Sequence, residues 1–176
     1  MIGTDYAHVL LVDYLFILTV GYLLHFPGIC LGVFIHEIGH GLMAFFLTKD
    51  PVKISIGLGK PRKKLYMGRF MIFFSKFPWY QGKTDCIIRN NSIIRSLLIL
   101  MAGGLCNLSQ IFLSIIFITL SSSPLRCILL AWLLANTRVA IGSLYKERGK
   151  GLSDLEKIQK ILARVFCNKN PRKEIS

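Results

Sequence analysis

The sequence predicts a mainly α membrane protein, with about four transmembrane helices and a small β-rich segment that is cytosolic or dips into the membrane. Three observations carry that expectation. Hydrophobic residues make up 53% of the chain and charged residues 18%, a balance outside the range of ordinary soluble domains. The 22 basic residues are segregated: ten lie between Lys49 and Arg89, nine from Lys146 onward, and only Arg95, Arg126 and Arg138 elsewhere. Finally, three ionisable residues, His36, Glu37 and His40, stand within a long apolar run.

The first span is expected at 6–24 and the second at 27–47, each close to the ~20 residues a bilayer core requires. Between them His25-Phe26-Pro27-Gly28 suits a tight turn. A third span fits 93–120, long enough to tilt. A fourth fits 126–145, after the Ser121-Ser122-Ser123-Pro124 turn. With the basic 48–92 block in the cytosol, four crossings make a multi-pass cell-membrane protein with both termini cytoplasmic. The N-terminus lacks the basic region and cleavage signal of a removable signal peptide. Although the net charge of +13 would suit nucleic acid, basic blocks alternating with apolar runs point to the lipid bilayer as the partner, and not to nucleic acid.

The 48–92 block has its own pattern. Residues 52–58 alternate as a strand does, Gly59-Lys60-Pro61-Arg62 reads as a turn, and 65–74 is again β-rich. Phe73, Phe74, Phe77, Trp79 and Tyr80 form an aromatic cluster of the kind found at membrane interfaces. The whole divides into residues 1–154, including the β-rich segment 50–80, and a basic cytosolic tail, 155–176. Leu155, Ile158, Ile161, Leu162 and Val165 give that tail one amphipathic helix, and the chain looks frayed from Asn168. The five cysteines are scattered without paired spacing, so no disulfide framework or thiolate metal site is expected.

The chemistry concentrates in His36-Glu37-Ile38-Gly39-His40. Residues four apart share a helix face, so both imidazoles can meet one metal ion while Glu37 flanks it. A glutamate near mid-span has no water to solvate it, which makes an idle role costly. At ~1.5 Å per residue His40 lies about 10 Å, and His36 about 16 Å, from the cytosolic end of the span. Water reaches that depth only through a polar cavity open to the cytosol. Two histidines with one carboxylate make a hydrolytic zinc site, leaving one position open. By spacing alone the third ligand is Asp154, after Gly151-Leu152-Ser153, or Asp13 in the first span, whose alternative is an ion pair with Arg138.

With these elements in view, the chain resembles the site-2 proteases, the intramembrane zinc metalloproteases, from about Gly32 to Asp154. The histidine motif, the β-rich segment, Ala102-Gly103-Gly104-Leu105-Cys106-Asn107, and then Asn136 with Asp154 come in that family's order. Gly104 stands where the family usually has Pro, and Leu155 where it has Gly. The resemblance implies Zn2+ held by His36, His40 and Asp154, with Glu37 the catalytic base. It also implies Asn136 or Asn107 as a hydrogen-bond donor to the oxyanion or the substrate backbone. Gly103 and Gly104 are expected to permit close helix packing. The reaction expected is endopeptidase cleavage of a membrane-spanning protein or peptide, whose unwound strand pairs with the 52–80 segment. The alternatives are an inactive zinc-binding, partner-binding relative and a metal-free membrane scaffold.

Overall fold

The hydrophobic run along residues 3–47 includes the turn formers Pro27 and Gly28, and the chain nevertheless folds as one unbroken helix, α1 (Gly3–Leu47). The fold is that of a computed structural model that describes residues 3–76, 80–87, 92–121, 123–145 and 153–168. Side chains of 3–14, 16–18, 123, 124 and 164–168 lie outside that description, as do Phe77 and Trp79 of the expected aromatic cluster.

The turn expected at His25–Gly28 does not form, because Pro27 sits inside α1. Proline deletes one helical hydrogen bond; leaving the helix between Leu24 and Gly28 would strip several backbone groups in apolar surroundings. At ~1.5 Å per residue α1 is about 67 Å long, about twice a bilayer core. The first span expected, 6–24, falls mostly on residues whose side chains lie outside the description. Among the described residues three stretches are long and apolar enough to cross a membrane: Thr19–Leu47, Ile93–Leu120 and Leu125–Leu144. The last two belong to α2 (Ile93–Leu120) and α3 (Ser123–Leu144). Arg126 Nε donates to Ser121 O at 2.7 Å, closing the corner between them. Leu108, Phe112, Phe117 and Leu120 of α2 and Leu134 and Ile141 of α3 are exposed, an apolar surface that suits lipid.

The sheet follows α1. Its strands are β1 (Val52–Ile56), β2 (Leu58–Met67), β3 (Phe70–Lys76) and β4 (Gly82–Cys86), in the order β2-β3-β1-β4. β1 is parallel to β3 and antiparallel to β4. The Gly59–Arg62 stretch expected as a turn lies within β2, where the register against β3 shifts between Leu58 and Lys63. Pro61 is tolerated there because β2 is an edge strand and every residue of it is exposed. The reversal comes instead at Gly68, whose φ of 60° admits a two-residue hairpin turn. That splits the expected 65–74 run into two strands.

Val52, Ile54 and Ile56 alternate inward and are fully buried with Ala44, Phe70, Ile72 and Ile99. This core fastens the sheet to the last turns of α1. Arg69 tightens the junction by donating to Thr48 O at 2.8 Å and lying 4.6 Å from the Phe45 ring centre. Ile54→Ala is expected to lower stability by about 2–5 kcal/mol, measured as an earlier unfolding midpoint in detergent.

α4 (Asp154–Asn168) opens with a reciprocal cap: Ser153 N donates to Glu156 Oε2 at 3.1 Å, and Glu156 N to Ser153 Oγ at 3.2 Å. The boundary expected between 154 and 155 therefore falls inside one helix.

Candidate metal centre

One turn of α1 presents His36 and His40 with ring centres 4.6 Å apart and planes at 89°. Their Nε2 atoms are 3.1 Å apart, and Asp154 Oδ2 lies 3.2 Å from His36 Nε2 and 3.1 Å from His40 Nε2. Both histidines are buried, at 5% exposure each. Three potential acceptors in so small a triangle need positive charge between them, whether imidazole protons or a metal ion. With ligand distances of ~2.0–2.1 Å, a tetrahedral zinc site has donor atoms about 3.3 Å apart. The triangle fits.

The opposite ring nitrogens agree with that use. His40 Nδ1 donates to Ile99 O at 2.6 Å, which leaves Nε2 as the lone-pair donor. His36 Nδ1 lies 3.2 Å from Asn107 Nδ2, and Asn107 Oδ1 has no partner among the described residues. Turning that amide over lets Oδ1 accept from Nδ1–H and frees His36 Nε2 in the same way. The Asp154 carboxyl is subject to burial, which raises its pKa. With imidazole protons in the triangle in place of a metal ion, hydrogen bonds from His36 and His40, then the His40 charge and Lys157 at 2.8 Å from Oδ1, outweigh that and hold it well below the usual carboxylate range.

Glu37, at 8% exposure, lies beside the triad in a cavity of about 1810 Å³ that His36, His40 and Asp154 also line. Thr84 Oγ1 donates to Glu37 Oε2 at 2.7 Å and stands 3.1 Å from the Glu37 backbone oxygen. Gly82 abuts the same side chain: a Cβ there would overlap Glu37 Cγ.

The remaining expected site residues fall elsewhere. Asn107 and Asn136 are both fully buried and neither lines the cavity. Asn107 supports His36 from behind. Asn136 donates to Trp132 O at 3.0 Å within α3, and a Cβ on Gly32 would come 3.2 Å from its Oδ1. Gly103 is the packing glycine of its pair, because a Cβ there would run into the His40 ring, whereas at Gly104 one would meet nothing within 4 Å. Gly104 and Leu155, the two departures from the family pattern, are outside the cavity lining. Asp13 belongs to the residues whose side chains are not described. Sequence reasoning missed Thr84 and Gly82; their signal is a hydroxyl and a missing side chain on the face of β4 turned to α1, where the neighbouring strand has isoleucines. No protein-family model matches the chain, and no curated protein matches it.

Proposed function

We propose that this chain is an intramembrane zinc endopeptidase of the site-2 protease kind, cleaving a membrane-anchored protein or peptide within or near its spanning segment. The observation that carries the reading is the triad of His36 Nε2, His40 Nε2 and Asp154 Oδ2, all within 3.2 Å of one another, beside the buried carboxylate of Glu37. A zinc ion held there supplies Lewis acidity and brings the pKa of water towards neutrality. The chain's own residues do the rest. Ile99 O and Asn107 fix the two imidazoles, and Glu37 accepts the proton of the attacking water and returns it to the departing nitrogen. That second carboxylate, beyond the ligand set, favours hydrolysis over the oxidative chemistry of two-histidine, one-carboxylate iron sites.

A substrate helix must unwind to expose its peptide bond, and an unpaired strand edge stabilises the unwound form. Among the described residues β4 pairs with β1 on one side only, and Gly82, Lys83 and Thr84 line the cavity. The sheet has two edges, β2 within the 52–80 stretch and β4; we take the β4 edge as the one that meets the substrate, because it borders Glu37. We place the sheet and α4 in the cytosol, where their basic residues favour the anionic leaflet.

The test is metal analysis of detergent-purified protein beside cleavage of single-span peptides. One zinc per chain, hydrolysis lost on chelation and regained with zinc, is the expected result. Asp154→Asn is expected to lower zinc affinity by about 10–100-fold or more, read by competition with a chelating dye. Iron in place of zinc, or unchanged metal affinity in that variant, would overturn the assignment.

A further inference from the structure

The carboxylate of Glu37 is held from outside its own helix. Gly82 and Thr84 share a face of β4, since alternate strand residues do, while Lys83 and Asp85 on the other face pair with each other at 2.7 Å. Register places Gly82 opposite Ile56 and Thr84 opposite Ile54, and both isoleucines are fully buried in the core that fastens the sheet to α1. The position of the Thr84 hydroxyl is therefore set by the best-anchored strand of the sheet. On one side that hydroxyl reaches Glu37 Oε2; on the other, the bare Cα of Gly82 leaves room for the Glu37 methylenes, and a Cβ would also lie 2.7 Å from Cδ and 2.8 Å from Oε1.

We propose that Thr84 and Gly82 are positioning residues for Glu37: the hydroxyl fixes the direction of the carboxylate, and the glycine fixes its distance from the sheet. This inference rests on the hydrolase reading, in which Glu37 is the base. A glutamate carries three rotatable bonds, and a base is effective only when held at hydrogen-bonding reach of the proton it takes. Thr84 is the hydrogen-bond partner of the carboxylate among the described residues. Because β4 is also the edge strand of the cavity, a peptide pairing with it would bear on the strand that aims the base. The substrate class that profits is one that enters as an extended segment.

The experiment compares Thr84→Val, Thr84→Ser and Gly82→Ala with wild type and Glu37→Gln. The probe is whichever of a panel of quenched-fluorescence single-span peptides, in phosphatidylcholine vesicles, the wild-type protein cleaves fastest. Valine matches threonine in shape and suits a strand, so the fold and zinc content are expected to be kept. Thr84→Val is expected to lower kcat about tenfold with little change in KM, and Thr84→Ser to restore most of it. Gly82→Ala is expected to lower kcat similarly, without adding its full effect to that of Thr84→Val. The cobalt-substituted variants are expected to keep the wild-type visible spectrum, since no ligand is touched. Wild-type or raised kcat in Thr84→Val, or loss of zinc from it, overturns the inference while a dead Glu37→Gln leaves the base reading standing. Full activity in Glu37→Gln sinks the base reading itself. Should the valine variant not fold, Gly82→Ala decides: wild-type turnover there overturns the inference.

Discussion

Glu37→Gln is expected to lower peptide hydrolysis by about 10²–10⁴-fold, the range assigned to a positioned general base, with zinc content unchanged. Glutamine keeps the shape of the side chain and its contact with Thr84, whose hydroxyl lies 2.7 Å from Oε2. What it loses is the capacity to take a proton. The atoms that could hold a metal ion belong to His36, His40 and Asp154, so a metal assay separates this outcome from collapse of the site. Loss of zinc together with loss of rate would mean that Glu37 holds the centre together instead. Rates within twofold of wild type would remove it from the chemistry.

Gly103→Ala is expected to disable the centre from the opposite side. A methyl group on Gly103 overlaps His40 Nε2 and comes within 2.7 Å of Cε1 and 2.8 Å of Cδ2. The ring has nowhere to withdraw. Its Nδ1 is tied to Ile99 O at 2.6 Å, and its neighbour across the triad is the His36 ring. Either α2 backs away from α1 or the imidazole leaves its place, and each dismantles the triangle of donors. Zinc affinity is expected to fall about 10–100-fold or more, measured by dye competition. The matched Gly104→Ala, which meets nothing within 4 Å, is expected to bind zinc as the wild type does. Equal affinities in the two variants would refute the steric argument.

The contrast between those neighbouring glycines marks what was legible in the sequence. Composition and charge segregation are global properties, and they point to apolar helices with a basic sheet between them without knowledge of packing. The His36–His40 spacing is likewise local: one helical turn sets it. Asp154 could be narrowed to one of two because acidic residues are so few in this chain. The helix carrying Leu155 to Val165 was legible and is α4, but not that Asp154 is its first residue, since the Ser153–Glu156 cap reads equally well as a loop.

The misreadings have physical causes of their own. Pro27 and Gly28 look like a turn only if water is there to satisfy the backbone groups a turn exposes. Lys60-Pro61-Arg62 looks like a turn because proline is rare in strands, yet an exposed edge asks nothing of its missing N–H. Asn107 and Asn136 are not among the misreadings but stay open as alternatives in the sequence, because they look alike as polar residues in apolar spans. Only the close approach of α2 to His36, and of α3 to Gly32, separates a histidine support from a helix-packing contact. Thr84 and Gly82 depend on which strand lies against Glu37, a long-range register that no local pattern encodes.

Asp154 lies 118 residues beyond His36 and 114 beyond His40. Ribosomal synthesis runs in that order, so both imidazoles leave the ribosome long before their carboxylate partner exists. On the hydrolase reading, a nascent chain threading past other freshly inserted helices carries an incomplete ion-binding set and leaves them intact. On that reading proteolytic competence begins only after α2, α3 and the start of α4 have been translated, a delay set by chain order alone.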